Sequence, residues 1–195
     1  AVCWLPKIIA EFGNEYPNIS IDVSVGTYKT IEDMIIAEEV DCGFMSGTMR
    51  KELKFVPLRV DRMLALVPPK LLPSGCKTLP LEAISDIDFI IPGEGSNYDI
   101  GRILRTAGVR PRVKYSVSDD YAAVAMAECG LGMTIVPELI LKGIGGNRAA
   151  VELEPACTRT IGIAERSIGT GSPACAAFMR FTENWVKRHS EDAIQ

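Results

Sequence analysis

"IIPGEGSNYDIGRILRTAG", residues 90–108, decides how the chain is read. An apolar, β-branched run ends at Pro92, and Gly-Glu-Gly-Ser-Asn turns the chain. Ile100, Ile103, Leu104 and Ala107 then recur on one helix face, which Gly108 closes. A strand, a short polar loop and a helix make half of an α/β repeat. The loop's glycines invite comparison with a phosphate cradle. A Walker loop, however, ends in Gly-Lys-Ser/Thr, and a dinucleotide loop needs G-x-G-x-x-G opening the helix. Neither pattern is met, and Glu94 and Asp99 place carboxylates where a phosphate would sit. No nucleotide and no other cofactor is expected.

The same strand–loop–helix grammar extends in both directions. Upstream, Trp4, Leu5, Ile8, Ile9 and Phe12 fall at helical spacing. Ile19, Ile21, Val23 and Val25 alternate as in a strand ending at Gly26. Residues 30–39 predict a helix with Thr30 as N-cap and Asp33 at capping-box distance, followed by a short buried strand in "VDCGFMSG". Downstream, "RVKYSV" (112–117) is a strand. "SDDYAAVAMAECGLG" is a helix with Ser118 as N-cap and Gly130 as stop, and "MTIVP" is a strand. Further strands are expected near 151–153 and 159–165. A final amphipathic helix is capped by Ser172, with Pro173 at its first position. The class is α/β with largely parallel sheets. The Pro-rich stretch 66–75, "LVPPKLLPSG", separates two such runs and suggests two lobes.

Composition removes several functions. The 195 residues are 47% apolar, ample for a core, with no apolar run near the roughly 18 residues of a membrane span. The start, "AVCWLPKIIA", lacks a basic region and cleavage site, so a soluble, cytoplasmic protein without membrane partners is expected. Net charge is −4 and the 21 Lys and Arg are scattered, so this chain should not grip DNA by itself. Cys3, Cys42, Cys76, Cys129, Cys157 and Cys175 form no C-x-x-C pair and sit near no histidine cluster. No metal is expected, and the cysteine usage favours a reducing compartment. The one histidine, His189, lies in a polar tail, so neither Ser-His nor Cys-His catalysis has its base. No catalytic residue is assigned; the chain is not read as an enzyme.

What remains is a set of loops at the carboxyl ends of strands, where open α/β sheets bind ligands. These are Gly26-Thr27-Tyr28, Ser46-Gly47, Gly93 to Asn97, and Ser118-Asp119. Each hydroxyl either faces a ligand or caps its own helix. Tyr28 and Tyr98 either stack on a ligand or cover the edge of the core.

Four stretches taken in order carry a resemblance: "LPKIIAEFGNEYPNISIDVSVGT", "IEDMIIAEEVDCGFMSG", "FVPLRVDRMLALVPP" and "SDDYAAVAMAECGLGMTIVPELI". Together they resemble the effector-binding domain of LysR-type transcriptional regulators, over nearly the whole chain. The resemblance implies two Rossmann-like subdomains of the type II periplasmic-binding-protein kind. Subdomain I would hold residues 1–67 and 163–195, subdomain II residues 68–162, with a ligand cleft between them. It implies a small polar metabolite as effector, contacted by Thr27, Tyr28, Ser46, Gly93, Gly95, Ser96 and Asn97. Cleft closure would then alter a homodimer or tetramer, with DNA bound only through an N-terminal winged helix-turn-helix absent from this chain. A transport-type solute receptor of the same fold is the alternative. With Lys29 the one cation in these loops, a neutral or singly charged effector is expected before a dianion.

Overall fold

The computed structural model describes residues 4–47, 50–72, 75–144, 150–167 and 171–189, with Glu94 and Gly95 described by their backbone alone. In chain order the elements are α1 (Leu5–Glu15), α2 (Tyr28–Ile36), β1 (Cys42–Met45), β2 (Leu53–Leu66), β3 (Thr78–Pro80), β4 (Asp88–Ile91), α3 (Glu94–Ala107), β5 (Arg112–Ser116), α4 (Asp120–Glu128), β6 (Thr134–Pro137), α5 (Glu138–Ile144), β7 (Ala150–Arg166) and α6 (Pro173–Arg188). Two 3₁₀ turns, Pro69–Leu71 and Leu81–Asp86, complete the set. The chain forms two compact units, residues 1–60 with 160–195, and residues 61–159. It passes from one to the other inside β2 and returns inside β7.

In the first unit β1 lies antiparallel to the end of β7, Cys42 opposite Glu165 and Met45 opposite Gly162. Ile31 and Ile35 of α2 pack with Met45, Leu53 and Ala164. Cys175 and Met179 of α6 pack with Ile163. The α6 helix also anchors α1: the Trp185 Nε1–H donates to Glu11 Oε1 at 2.6 Å, and Phe12 meets Phe178 and Phe181 edge to face. Gly162 is dictated by packing, since a Cβ there would lie 2.3 Å from the Val56 carbonyl oxygen.

In the second unit β2 and β6 pair antiparallel, Met63 opposite Pro137 and Leu66 opposite Thr134. The start of β7 runs parallel to β3, and β4 runs parallel to β5. Phe89 bridges in parallel to Met133. A core of Met63, Ala65, Ile84, Phe89, Ile100, Met133, Ile135 and Leu153 fills this unit, while Ala123, Val124 and Ala127 of α4 pack on Ile90 and Val136.

Several expectations are corrected. The sheets are mixed, because the crossing strands β2 and β7 each take an antiparallel neighbour. Residues 19–25 form no strand: their alternation is real, but Val23 and Val25 are 54% and 93% exposed and no described strand accepts them. Thr27, not Thr30, caps α2; its Oγ1 accepts from the Thr30 N–H at 3.1 Å. Asp33 instead pairs with Lys29 at 2.7 Å and Arg50 at 2.6 Å. Asp119, not Ser118, caps α4. The two strands expected at 151–153 and 159–165 are one, β7. The Ser172 cap, Pro173 at the first position, and left-handed Gly108 and Gly130 form as read.

The second unit is braced where its chain enters and leaves. Asp61, on β2, and Arg159, on β7, are 2% and 6% exposed. Both Nε and Nη2 of Arg159 lie 3.0 Å from Asp61 Oδ2. Asp61 Oδ1 accepts from the Leu139 N–H at 3.2 Å, tying in the start of α5. Burial pushes the Asp61 carboxyl above its usual value, while Arg159 and the Leu139 amide pull it back. Removing one partner of such a pair leaves an uncompensated buried charge, so Asp61→Ala should cost about 3–5 kcal/mol in urea unfolding. Asp61→Asn, which keeps an acceptor for Leu139, should cost less. A loss below about 1 kcal/mol for Asp61→Ala, the value of a surface pair, would contradict a buried brace.

Candidate functional site

The sequence-predicted residues fall at two helix starts and one strand end. In the first unit, Thr27 spends a lone pair on the Thr30 N–H, and its Oγ1 also lies 2.9 Å from Thr30 Oγ1. Of the two roles open to this hydroxyl, capping is therefore observed. Its remaining surface is partly exposed. Tyr28, the first residue of α2, packs against the cluster around Ile31 and Ile35, which is the core-edge role. Ser46 follows β1 directly and is 8% exposed, ahead of Gly47 at φ 77°. Lys29 is neutralised by Asp33, so the loop offers no unmatched positive charge. Arg50 is held in the same way by Asp33 and by Glu32 at 3.3 Å.

In the second unit, Gly93 is the N-cap of α3, and Gly95 lies in its first turn. A Cβ on Gly93 would sit 2.0 Å from the Ser118 carbonyl oxygen, so backbone passes over backbone here and only glycine fits. The Val117 N–H donates to the Ile91 carbonyl at 3.1 Å and fixes that approach. Ser96 does not cap its helix. It is 2% exposed, and its Oγ donates to Asp120 Oδ2 at 2.9 Å, joining the first turns of α3 and α4. The Asn97 amide N–H closes the first helical turn on the Gly93 carbonyl at 3.1 Å, leaving its half-buried side chain at the rim. Tyr98 is 48% exposed.

Beneath this turn lies a charge cluster that the sequence reading missed. Asp99, read as facing a would-be phosphate, turns inward: it is 1% exposed, 3.7 Å from Arg159 Nη1 and 3.6 Å from Arg102 Nη2. Arg159 thus serves Asp61 and Asp99 together, and its field also reaches Asp120. Burial raises the Asp120 carboxyl above its usual value, opposed by the Ser96 hydrogen bond and then by Arg159. Asp119 and Asp120 stand side by side at the start of α4 but differ in role. Asp119 accepts from the Ala122 N–H at 2.9 Å; Asp120, the next residue, faces inward to Ser96. The only signal for Arg159 was its place in the alternating pattern of β7.

In the second unit, the turn at Gly93–Asn97 offers helix-terminal N–H groups and an amide near an acid-rich cluster. That setting suits hydrogen-bonded recognition and opposes a second negative charge. His189 stacks on Trp185 at 4.0 Å, and its Nδ1 lies 2.9 Å from the Trp185 carbonyl oxygen, within the α1–α6 packing. Among the described residues no cluster of His, Cys, Asp or Glu could hold a metal ion, and no helix is long and apolar enough to cross a membrane.

Ser96→Ala removes the donor to a carboxylate that burial already disfavours. Its Asp120 should titrate higher than in the unaltered protein, and stability should fall by about 1–3 kcal/mol near neutral pH. Because the folded Asp120 value is raised, that carboxyl favours folding most under acid conditions. The benefit is lost as pH rises through the folded value, so the variant's deficit should shrink in acid. Carboxyl carbon NMR through a pH titration reads the shift; an unmoved Asp120 would remove the Ser96 link.

Comparison with known proteins places the chain in a family. Residues 1–187 match the model of the LysR substrate binding domain. Among curated relatives, the HTH-type transcriptional regulator CysL of Bacillus subtilis is 21% identical over 71% of this chain and 47% of its own length. The uncharacterized HTH-type regulator YvbU of the same species is 21% identical over 92% of this chain and 62% of its own length. The chain therefore spans about half to three-fifths of these relatives. Among solved structures, the effector-binding domain of QuiR in complex with shikimate superposes with a TM-score of 0.83 at 21% identity, covering 95% of this chain and 91% of that one. The regulatory domain of Synechocystis PCC6803 CcmR in complex with 2-PG gives 0.85 at 17% identity, covering 94% and 91%.

Proposed function

We propose that this chain, which belongs to the LysR substrate binding domain family, senses a small polar metabolite and passes that signal to transcription. Its fold is the type II periplasmic-binding-protein-like fold of LysR effector-binding domains. The single observation that carries the reading is the family match over residues 1–187, joined to a chain whose polar groups gather at strand ends without a catalytic base among them. Its relatives are transcriptional regulators rather than enzymes, which also disfavours a transport receptor of the same fold.

The effector-site residues we assign are Thr27, Tyr28, Ser46, Gly93, Gly95, Ser96 and Asn97. Their roles differ. Thr27, Ser46 and Asn97 offer polar groups, whereas Gly93 lets the backbone approach and Ser96 holds the first turn of α3 against Asp120. Aspartates 61, 99 and 120 outnumber the one buried guanidinium nearby, which supports a neutral or singly charged effector. Subdomains of residues 1–67 with 163–195 and 68–162, an oligomeric regulator, a cytoplasmic setting, and DNA contacts made by a separate helix-turn-helix domain complete the proposal.

A panel of neutral and monoanionic metabolites, screened by thermal shift, should include at least one that raises the melting temperature. That gain, measured against each variant's own unliganded value, should shrink in Thr27→Ala and Asn97→Ala but not in Ser172→Ala, which removes a cap elsewhere. A ligand whose gain is equal in all four proteins would sink the contact assignment.

A further inference from the structure

Two cysteines 133 positions apart in sequence share one packing cluster of the first unit. Cys42 is the first residue of β1, and Cys175 is the third residue of α6, a helix of 16 residues. Asp41 brings them together. Ser172 Oγ, the cap of α6, lies 3.2 Å from Asp41 Oδ1, and Cys175 Sγ lies 3.8 Å from the Asp41 carbonyl oxygen. The Cys42 side chain packs on the Ile163, Cys175 and Met179 cluster and shares a hydrogen bond with the Cys175 thiol. Cys175 is 5% exposed, and Cys42 is partly buried.

We propose that Cys42 and Cys175 are a redox-active pair that closes to an intramolecular disulfide when a hydroperoxide reaches it. The pair is asymmetric. Cys175 occupies the N-terminal turn of a helix, where a negative sulfur is favoured, and its hydrogen bond with Cys42 lowers its value further against burial, Asp41 and Glu165. Cys42 is pushed up by that same bond first, then by burial, Cys175, Asp41 and Glu165. That bond favours the thiolate on Cys175 and the thiol on Cys42.

Cys175 thiolate is then the nucleophile. It attacks one peroxide oxygen, the O–O bond breaks, and an alcohol leaves after taking a proton from water, giving Cys175 sulfenic acid. Cys42 sulfur attacks the Cys175 sulfur and expels hydroxide, which leaves as water with the proton Cys42 releases. In sum, two thiols and a hydroperoxide give a disulfide, an alcohol and water. The sulfurs lose two electrons and the peroxide gains them. An external dithiol reverses the step.

This inference does not rest on the effector reading, and its test can fail separately. The chain is treated with a small excess of hydrogen peroxide, blocked with an alkylating agent, and mapped by non-reducing peptide mass spectrometry. The expected product has lost about 2 Da as one disulfide forms, bridges Cys42 to Cys175, and reverts with dithiothreitol. In Cys42→Ser, dimedone should label Cys175. In Cys175→Ser, labelling of Cys42 should be at least about tenfold slower, because Cys42 lies outside the helix N-terminal turn that favours a negative sulfur. A crosslink through Cys76, Cys129 or Cys157 in its place, no crosslink while Cys129 is oxidised, or equal labelling of Cys42 and Cys175 would overturn it.

Discussion

Arg159 is the one buried cation among the described residues, and the second unit is arranged around it. Its guanidinium binds Asp61 through two nitrogens at the point where the chain enters that unit on β2, while Arg159 itself marks the exit on β7. A charge buried to this degree is costly unless its hydrogen-bonding geometry is filled. Asp61 hydrogen-bonds it on one side, Asp99 adds an ion pair at 3.7 Å on the other, and Asp61 hands its second oxygen to the start of α5. Two strands and two helices are thereby fixed by one side chain. The requirement is strict in a way that apolar packing is not, since a methylene can be lost from a core more cheaply than a partner from a buried ion pair.

The proposed site inherits its geometry from that constraint. Asp99 points inward to Arg159, so the helix turn bearing it presents Asn97 and the backbone at its rim. Ser96 binds Asp120, which sets the start of α4 beside the start of α3. Gly93 lies against Ser118 too closely for any side chain. The hydroxyl most attractive on paper, Ser96, thus joins α3 to α4, and the polar groups beside it are the ones proposed for recognition. In the first unit Thr27 caps α2 while part of its surface stays open.

Much of this was legible because it is written in local patterns. The 90–108 stretch gave strand, turn and helix, and Gly108, Gly130, Ser172 and Pro173 marked ends that backbone geometry requires. Caps slipped by one to three residues, Thr27 for Thr30 and Asp119 for Ser118, because several neighbouring side chains could serve and tertiary position chose among them. Residues 19–25 alternate like a strand, but alternation shows only that one face is apolar, not that a partner strand lies beside it. The long β2 and β7 were hard to see because each serves two units and changes its neighbours along its length. Asp61, Asp99, Asp120 and Arg159 lie up to 98 positions apart, and nothing local marks charges that meet only in the folded chain. The same holds for Cys42 and Cys175.

The central claim is that the helix starts at Thr27 and Gly93 receive the effector. Hydrogen–deuterium exchange on the chain, with and without a metabolite found to raise its melting temperature, tests it most directly. The amides of residues 27–30 and 94–97 should slow together, with half-saturation at the same ligand concentration. Slowing confined to other segments, with both helix starts unchanged, would contradict it.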